Sequence, residues 1–125
     1  MAQKGNKKNI KDLQEDYEEF KRKRDWEKFH YPKNIAMSIS IEASELMELF
    51  QWKDNVSIEK VKSNEKLMSK VREELADVIL YSLSMAQILD IDIEEIVEEK
   101  LDENKERFDE ETAEDIKQEL EEWTR

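Results

Sequence analysis

The chain holds one glycine and one proline in 125 residues. Glycine permits the left-handed turns that other residues resist, and proline interrupts backbone ladders. A fold of many short strands needs such breakers at each reversal. Their scarcity points to long helices joined by few connections. Charged residues make up 43% of the sequence, a share that suits helices with solvated outer faces. The length fits one modest domain, whose core oligomerisation would extend.

Apolar spacing divides the chain into segments. Ile10, Leu13, Tyr17 and Phe20 follow a helical period, and "RDWEKFHYP" ends that segment, with Pro32 marking a break. A second helix is predicted from Pro32–Asn34 to about Trp52, with Ile35, Ile39, Leu46 and Leu49 in its stripe. Residues 53–64 read as a polar loop with room for one helical turn. A third helix, Glu65 to Leu89, carries Leu67, Val71, Val78, Tyr81 and Met85, plus a second apolar row that suits a central position. "DID" at 90–92 reads as a break and an N-cap, and a fourth helix follows to about Phe108. The expected architecture is therefore an all-α, four-helix bundle. Residues 1–8 are expected to form a flexible tail, 9–108 the domain, and 109–125 an acidic helical extension.

Composition excludes several classes of function. The formal net charge is −12, so most of the surface would repel a nucleic acid polymer. No stretch approaches the roughly 20 apolar residues of a membrane span. The sequence "MAQKGNKKN" lacks the apolar region of a signal peptide. There are no cysteines, which rules out disulfides and fits a cytoplasmic location.

The informative anomaly lies in the stripes themselves. Glu42 stands where the second helix needs an apolar residue, and Glu74 does the same in the third. Each has an acid three residues on, Glu45 and Asp77, so each pair shares a helix face. Packed face to face, the two helices would gather four carboxylates, which a cation must neutralise. Hard oxygen ligands favour Mg²⁺, Mn²⁺ or Ca²⁺. The alternative is that ExxE spacing is ordinary in a chain with 33 acids and that these side chains are merely solvated. A di-iron centre is not expected, because the single histidine, His30, stands in no Glu-x-x-His motif and reads better as a packing or surface residue.

Lys100, Asn104 and Arg107 fall at i, i+4 and i+7 of the fourth helix. They either pair with neighbouring acids such as Glu103 or clamp a phosphate beside the metal. Metal and cationic face together would suit a polyphosphate ligand. Trp26, Trp52 and Tyr81 either fill the core or offer flat walls for a nucleobase.

These blocks, in order, resemble the MazG-like all-α nucleoside triphosphate pyrophosphohydrolases. "EASELMELFQW" and "EELADVILY" match the family's ExxE and ExxD motifs. "RDWEKFHYPKN", "ELFQWK" and "KLDENKERF" draw the likeness toward the dCTP pyrophosphatase branch, over about Ile10 to Phe108. The resemblance implies cleavage of a nucleoside triphosphate between the α and β phosphates, with Glu42, Glu45, Glu74 and Asp77 holding Mg²⁺, or Mn²⁺ in its place. It implies that Lys100, Asn104 and Arg107 contact phosphates and sugar, and that Trp26, Trp52 and Tyr81 line the base and deoxyribose pocket. It implies a homo-oligomer, a dimer or a tetramer built from dimers. Tyr17 stands where cytosine-preferring relatives tend to carry a histidine. The expected function is therefore pyrophosphohydrolysis of dCTP or modified dCTP in nucleotide-pool sanitation. The alternatives are a branch specific for dUTP or another NTP, and a non-catalytic helical binding protein.

Overall fold

The computed structural model describes residues 7–124, so most of the tail expected over residues 1–8 lies outside the described residues. Among them are six α-helices and no strand: α1 Ile10–Lys23, α2 Pro32–Glu48, α3 Ile58–Ser63, α4 Glu65–Ile88, α5 Ile93–Arg107 and α6 Glu110–Trp123. The all-helical expectation holds. No helix among the described residues is long and apolar enough to cross a membrane.

Short polar side chains set most helix starts. Asn9 accepts from the Asp12 amide at 2.8 Å while Asp12 accepts from the Asn9 amide at 3.1 Å, a reciprocal cap on α1. Asn64, Asp92 and Asp109 cap α4, α5 and α6 one way, each accepting from the amide three residues on. The cap at Asp92 is the one that "DID" predicted. Pro32 occupies the first turn of α2, where its missing N–H is no loss. The predicted loop over 53–64 holds the six-residue α3, capped by Ser57.

Two helix ends use aspartate where glycine is customary. Asp25 and Asp90 both have φ of 55°, in the left-handed region. Asp25 donates to the Arg22 carbonyl at 3.1 Å and Trp26 donates to the Lys21 carbonyl at 2.9 Å, the paired bonds that close a helix C-terminus. Aspartate tolerates this backbone better than most residues. The turn ends α1 at Lys23 and redirects the chain into a 3₁₀ turn at Glu27–Phe29. The end of α2 also comes earlier than the apolar pattern suggested. Leu49 and Phe50 donate three residues back, to Leu46 at 3.3 Å and Met47 at 3.0 Å, so the helix tightens and stops before Trp52.

The chain forms two compact units, one up to Asp90 and one from Ile91. In the first, α2 packs along α4 in the most extensive helix pairing, with α1 and α3 also against α4. The central place expected for the third helix is thus occupied by α4. Ile35 of α2 and Leu67, Leu83 and Ala86 of α4 are the buried apolar residues. The partly buried positions of α2 (Ser38, Ile39, Glu42, Glu45, Leu46, Leu49) trace the seam it presents to α4. The second unit holds α5 and α6, both largely exposed along their lengths.

Candidate metal centre

Glu42 and Glu45 enter the α2 seam because they replace apolar residues in its repeat, and Glu74 does so in α4. The seam brings them together: one carboxylate oxygen from each of Glu42, Glu45 and Glu74 lies within 4.8 Å of the others. Glu74 Oε2 is buried and has no hydrogen-bond partner. A buried, unpartnered carboxylate oxygen among like charges calls for a proton or a cation.

The proton affinities report this crowding. The Glu74 carboxyl is pushed up to about 7, first by the proton it can share with Glu42, then by a similar bond with Glu45, by partial burial and by their negative charges. The bond with Glu74 pulls Glu42 the other way, but desolvation and the proximity of Glu45 and Asp77 outweigh it, and Glu42 also lies above the ordinary carboxylate value. The donor set is all oxygen and anionic, which fits a hard divalent cation. The structure thus carries a cluster of three acids able to hold a metal.

The fourth predicted ligand, Asp77, is half-buried one turn along α4 and is not in that three-carboxylate group. Its charge is nonetheless felt by Glu42 and by Tyr81. Tyr81 is half-buried, and its hydroxyl is pushed above the usual phenol range by burial and then by Glu42 and Asp77. Trp26 sits in the turn after α1, edge-on to Phe20 with ring centroids 5.6 Å apart. Trp52 is 89% exposed in the turn after α2, so it fills no core. His30 is half-buried, lies 6.3 Å from the Tyr17 ring, and is held below the usual histidine range by burial and by Lys21. Its Nδ1 is buried without a hydrogen-bond partner.

In the second unit, Lys100, Asn104 and Arg107 share a face of α5 as their spacing requires. Lys100 pairs with Glu103 at 3.4 Å and the Arg107 guanidinium lies over Phe108, 5.0 Å from its centroid. Asn104 is half-buried.

Sequence reasoning missed Lys21. Its side chain is 1% exposed, with Nζ 2.6 Å from Glu18 Oε1, 3.0 Å from Ser84 Oγ and 5.1 Å from the Tyr17 ring centroid. The available signal was its spacing, four residues after Tyr17 on the same face. The run of basic residues around it concealed that.

Comparison with known proteins places this geometry in context. The MazG-like family model matches residues 37–123, which carries it through α6 and past Phe108, where the resemblance seen in the sequence stops. The dCTP pyrophosphatase 1 of Rattus norvegicus is 34% identical over 99 residues, covering 79% of this chain and 58% of the relative. That of Homo sapiens is 33% identical over 99 residues, with the same two shares. The chain therefore spans less than two thirds of the length of these curated relatives. A crystal structure of a pyrophosphatase from Archaeoglobus fulgidus superposes with a TM-score of 0.73 at 34% identity, covering 88% of this chain and 99% of that one.

Proposed function

The chain belongs to the MazG-like family, and from that premise we propose that it is a metal-dependent nucleotide pyrophosphohydrolase that converts a nucleoside triphosphate to its monophosphate and pyrophosphate. The observation that carries this reading is the convergence of Glu42, Glu45 and Glu74 on one point of a helix seam, with a buried oxygen left unpartnered. The dCTP pyrophosphatases among its relatives, and the pyrophosphatase that shares its fold, support the reaction class. They also make dCTP, or a modified dCTP, the first substrate to test, ahead of dUTP and other NTPs.

In this reading Glu42, Glu45, Glu74 and Asp77 hold Mg²⁺, with Mn²⁺ as a substitute. Bound there, the cation neutralises phosphate charge and polarises the phosphoryl oxygens. The chain's own part is to orient water and substrate. Glu45 is assigned as the general base: it takes a proton as the water oxygen bonds to the α-phosphorus and the bridging bond to the β-phosphate breaks. Lys100, Asn104 and Arg107 are assigned to the phosphates and sugar on the strength of their shared face. Trp26, Trp52 and Tyr81 are assigned to the base and deoxyribose. The exposure of Trp52 supports this, because an indole left in water gains by covering a flat ring.

The reading includes a four-helix, oligomeric assembly, dimeric or tetrameric. Met37 and Ile41 of α2 and Leu75 and Ile79 of α4 are all exposed, and covering such residues is what a second copy would do. It also places the protein in the cytoplasmic nucleotide pool, which the cysteine-free sequence fits. Incubation with Mg²⁺ and each common NTP, dNTP and 5-methyl-dCTP, followed by anion-exchange separation, tests the proposal. Monophosphate with pyrophosphate is the expected product pair. Diphosphate with orthophosphate, or no turnover with either Mg²⁺ or Mn²⁺, would overturn it.

A further inference from the structure

The chain's negative charge is unevenly spread. Residues 1–90, the first unit, hold 17 acidic and 16 basic residues and are nearly neutral. Residues 91–125, the second unit, hold 16 acidic and five basic residues, and so carry almost all of the formal charge of −12. Within that acidic unit α6 also presents an apolar stripe. Ala113, Ile116, Leu120 and Trp123 follow at intervals of three, four and three, on one face of the helix. Ile116, Leu120 and Trp123 are exposed, Trp123 to 85%. Ala113, Ile116 and Leu120 border a hollow of about 350 Å³. Glu110, Glu114 and Glu121, with Lys117 among them, run along one edge of the stripe. An apolar stripe edged by acids suits a groove edged by bases.

The first unit has such a groove where α2 gives way to α4. Residues 53–70 hold five lysines and three acids. Lys53, Lys66 and Lys70 border a hollow of about 210 Å³ together with Leu49 and Leu67. Lys53 also borders a second hollow, of about 340 Å³, with Val56 and Lys60. Ile58, which opens α3, is exposed. No ion pair among the described residues includes Lys53, Lys60, Lys66 or Lys70. In a chain with 33 acids, four lysines without a carboxylate partner around two hollows make a surface that attracts negative charge.

We propose that the acidic, apolar face of α6 docks on this lysine-bordered end of the α2–α4 pair in a second copy of the chain, with Ile116 and Leu120 toward the hollows and Glu114 and Glu121 toward the lysines. Both faces are exposed within one chain, so covering them takes a second molecule. The charges that complement each other belong to one sequence, which makes that molecule another copy. Exchange of α6 in both directions closes a two-fold pair and leaves neither face over. The surface is separate from Met37, Ile41, Leu75 and Ile79, and the inference does not depend on the pyrophosphohydrolase reading.

Sedimentation equilibrium of the full chain tests it with two charge-reversed variants, Lys66→Glu/Lys70→Glu and Glu114→Lys/Glu121→Lys. Each alone sets like charges face to face and is expected to weaken self-association at least about tenfold. An equimolar mixture of the two brings opposite charges together in both directions, and is expected to associate about as tightly as wild type. Only contact between copies can produce that recovery. Wild type in about 1 M NaCl, where charges are screened beyond about 3 Å, is expected to lose association as the variants do. If a reversed variant fails to fold, Lys66→Gln/Lys70→Gln and Glu114→Gln/Glu121→Gln carry the comparison with smaller losses. Variants that associate as wild type does, a mixture no tighter than either variant alone, or a wild type monomeric at low salt would overturn the proposal.

Discussion

The first unit buries charge in two places, and they solve the problem in opposite ways. Where α1 meets α4, Lys21 is enclosed with its counter-charge Glu18 and a hydroxyl supplied by Ser84, so its charge is balanced within the chain even though the buried Glu18 Oε1 makes no aligned hydrogen bond. Where α2 meets α4, Glu42, Glu45 and Glu74 converge, and no ion pair among the described residues includes any of them. One cluster balances its own charge. The other stores repulsion that only a proton or an external ion can relieve. A closed ion pair tells of geometry being fixed, whereas an open anionic cluster tells of something to be bound.

The sharpest way to break this comparison is to remove one acid from the open cluster. Glu45→Gln is expected to lower turnover by at least about 10²-fold, the usual effect of losing a general base. The same change should raise the melting temperature of the metal-free protein, because it removes like-charge repulsion. Asp77→Asn should also nearly abolish turnover while the fold survives. Full activity in either variant, measured by pyrophosphate release, would sink the assigned site.

Next in size is the response to pH and metal. The Glu74 carboxyl lies at about 7, above its ordinary 4.5. The folded state therefore holds this proton more tightly than the unfolded state. Its contribution to stability is complete below about 4.5 and is lost as pH rises through about 7. Thermal melts of the metal-free protein should accordingly fall over that window. Saturating Mg²⁺ should raise the melting temperature most above pH 7, where the carboxylates are ionised and free to bind it. A melting curve indifferent to Mg²⁺ at pH 8 would mark the acids as simply solvated. The Lys21 pair, closed on itself, predicts no metal response of its own.

A third expectation concerns the walls. Trp52→Ala should raise KM about tenfold while leaving the helical signal and melting temperature nearly unchanged, since a base–aromatic stack contributes about 1–3 kcal/mol. Loss of helix in that variant would make Trp52 a packing residue, against its 89% exposure.

How much of this was legible in advance follows from what each feature depends on. The acids could be read because an apolar stripe at fixed spacing makes its exceptions visible, and the α2–α4 seam obeys that spacing closely. The cap at Asp92 is local chemistry and could be read likewise. Lys21 was missed because its burial depends on α1 meeting Ser84 from 63 residues away, and its spacing from Tyr17 marks a shared face without encoding that contact. Trp52 lay beyond the helix end because the last turn of α2 tightens, and apolar spacing continues past such a change without registering it. The stop of α1 turned on the backbone tolerance of a single aspartate.

That aspartate supplies the smallest and most local prediction. Asp25 holds φ of 55° just after α1, and the turn it makes fixes both the Lys21 carbonyl and the amide of Trp26. Glycine takes the left-handed region without a steric penalty, so Asp25→Gly should stabilise the folded chain by up to about 1 kcal/mol, offset in part by the extra freedom glycine has when unfolded. Asp25→Val, β-branched, should destabilise it by about 1–2 kcal/mol through the same angle. Urea melts of the two variants check the sign and the order. Because the turn carries Lys21 and Trp26 together, Asp25→Val should also raise KM for dCTP, whereas a variant at the far helix end with the same geometry, Asp90→Val, should lower stability alone. If both variants moved KM equally, the turn at Asp25 would have no privileged link to the nucleotide through Trp26, and the assignment of Trp26 to the base would fail.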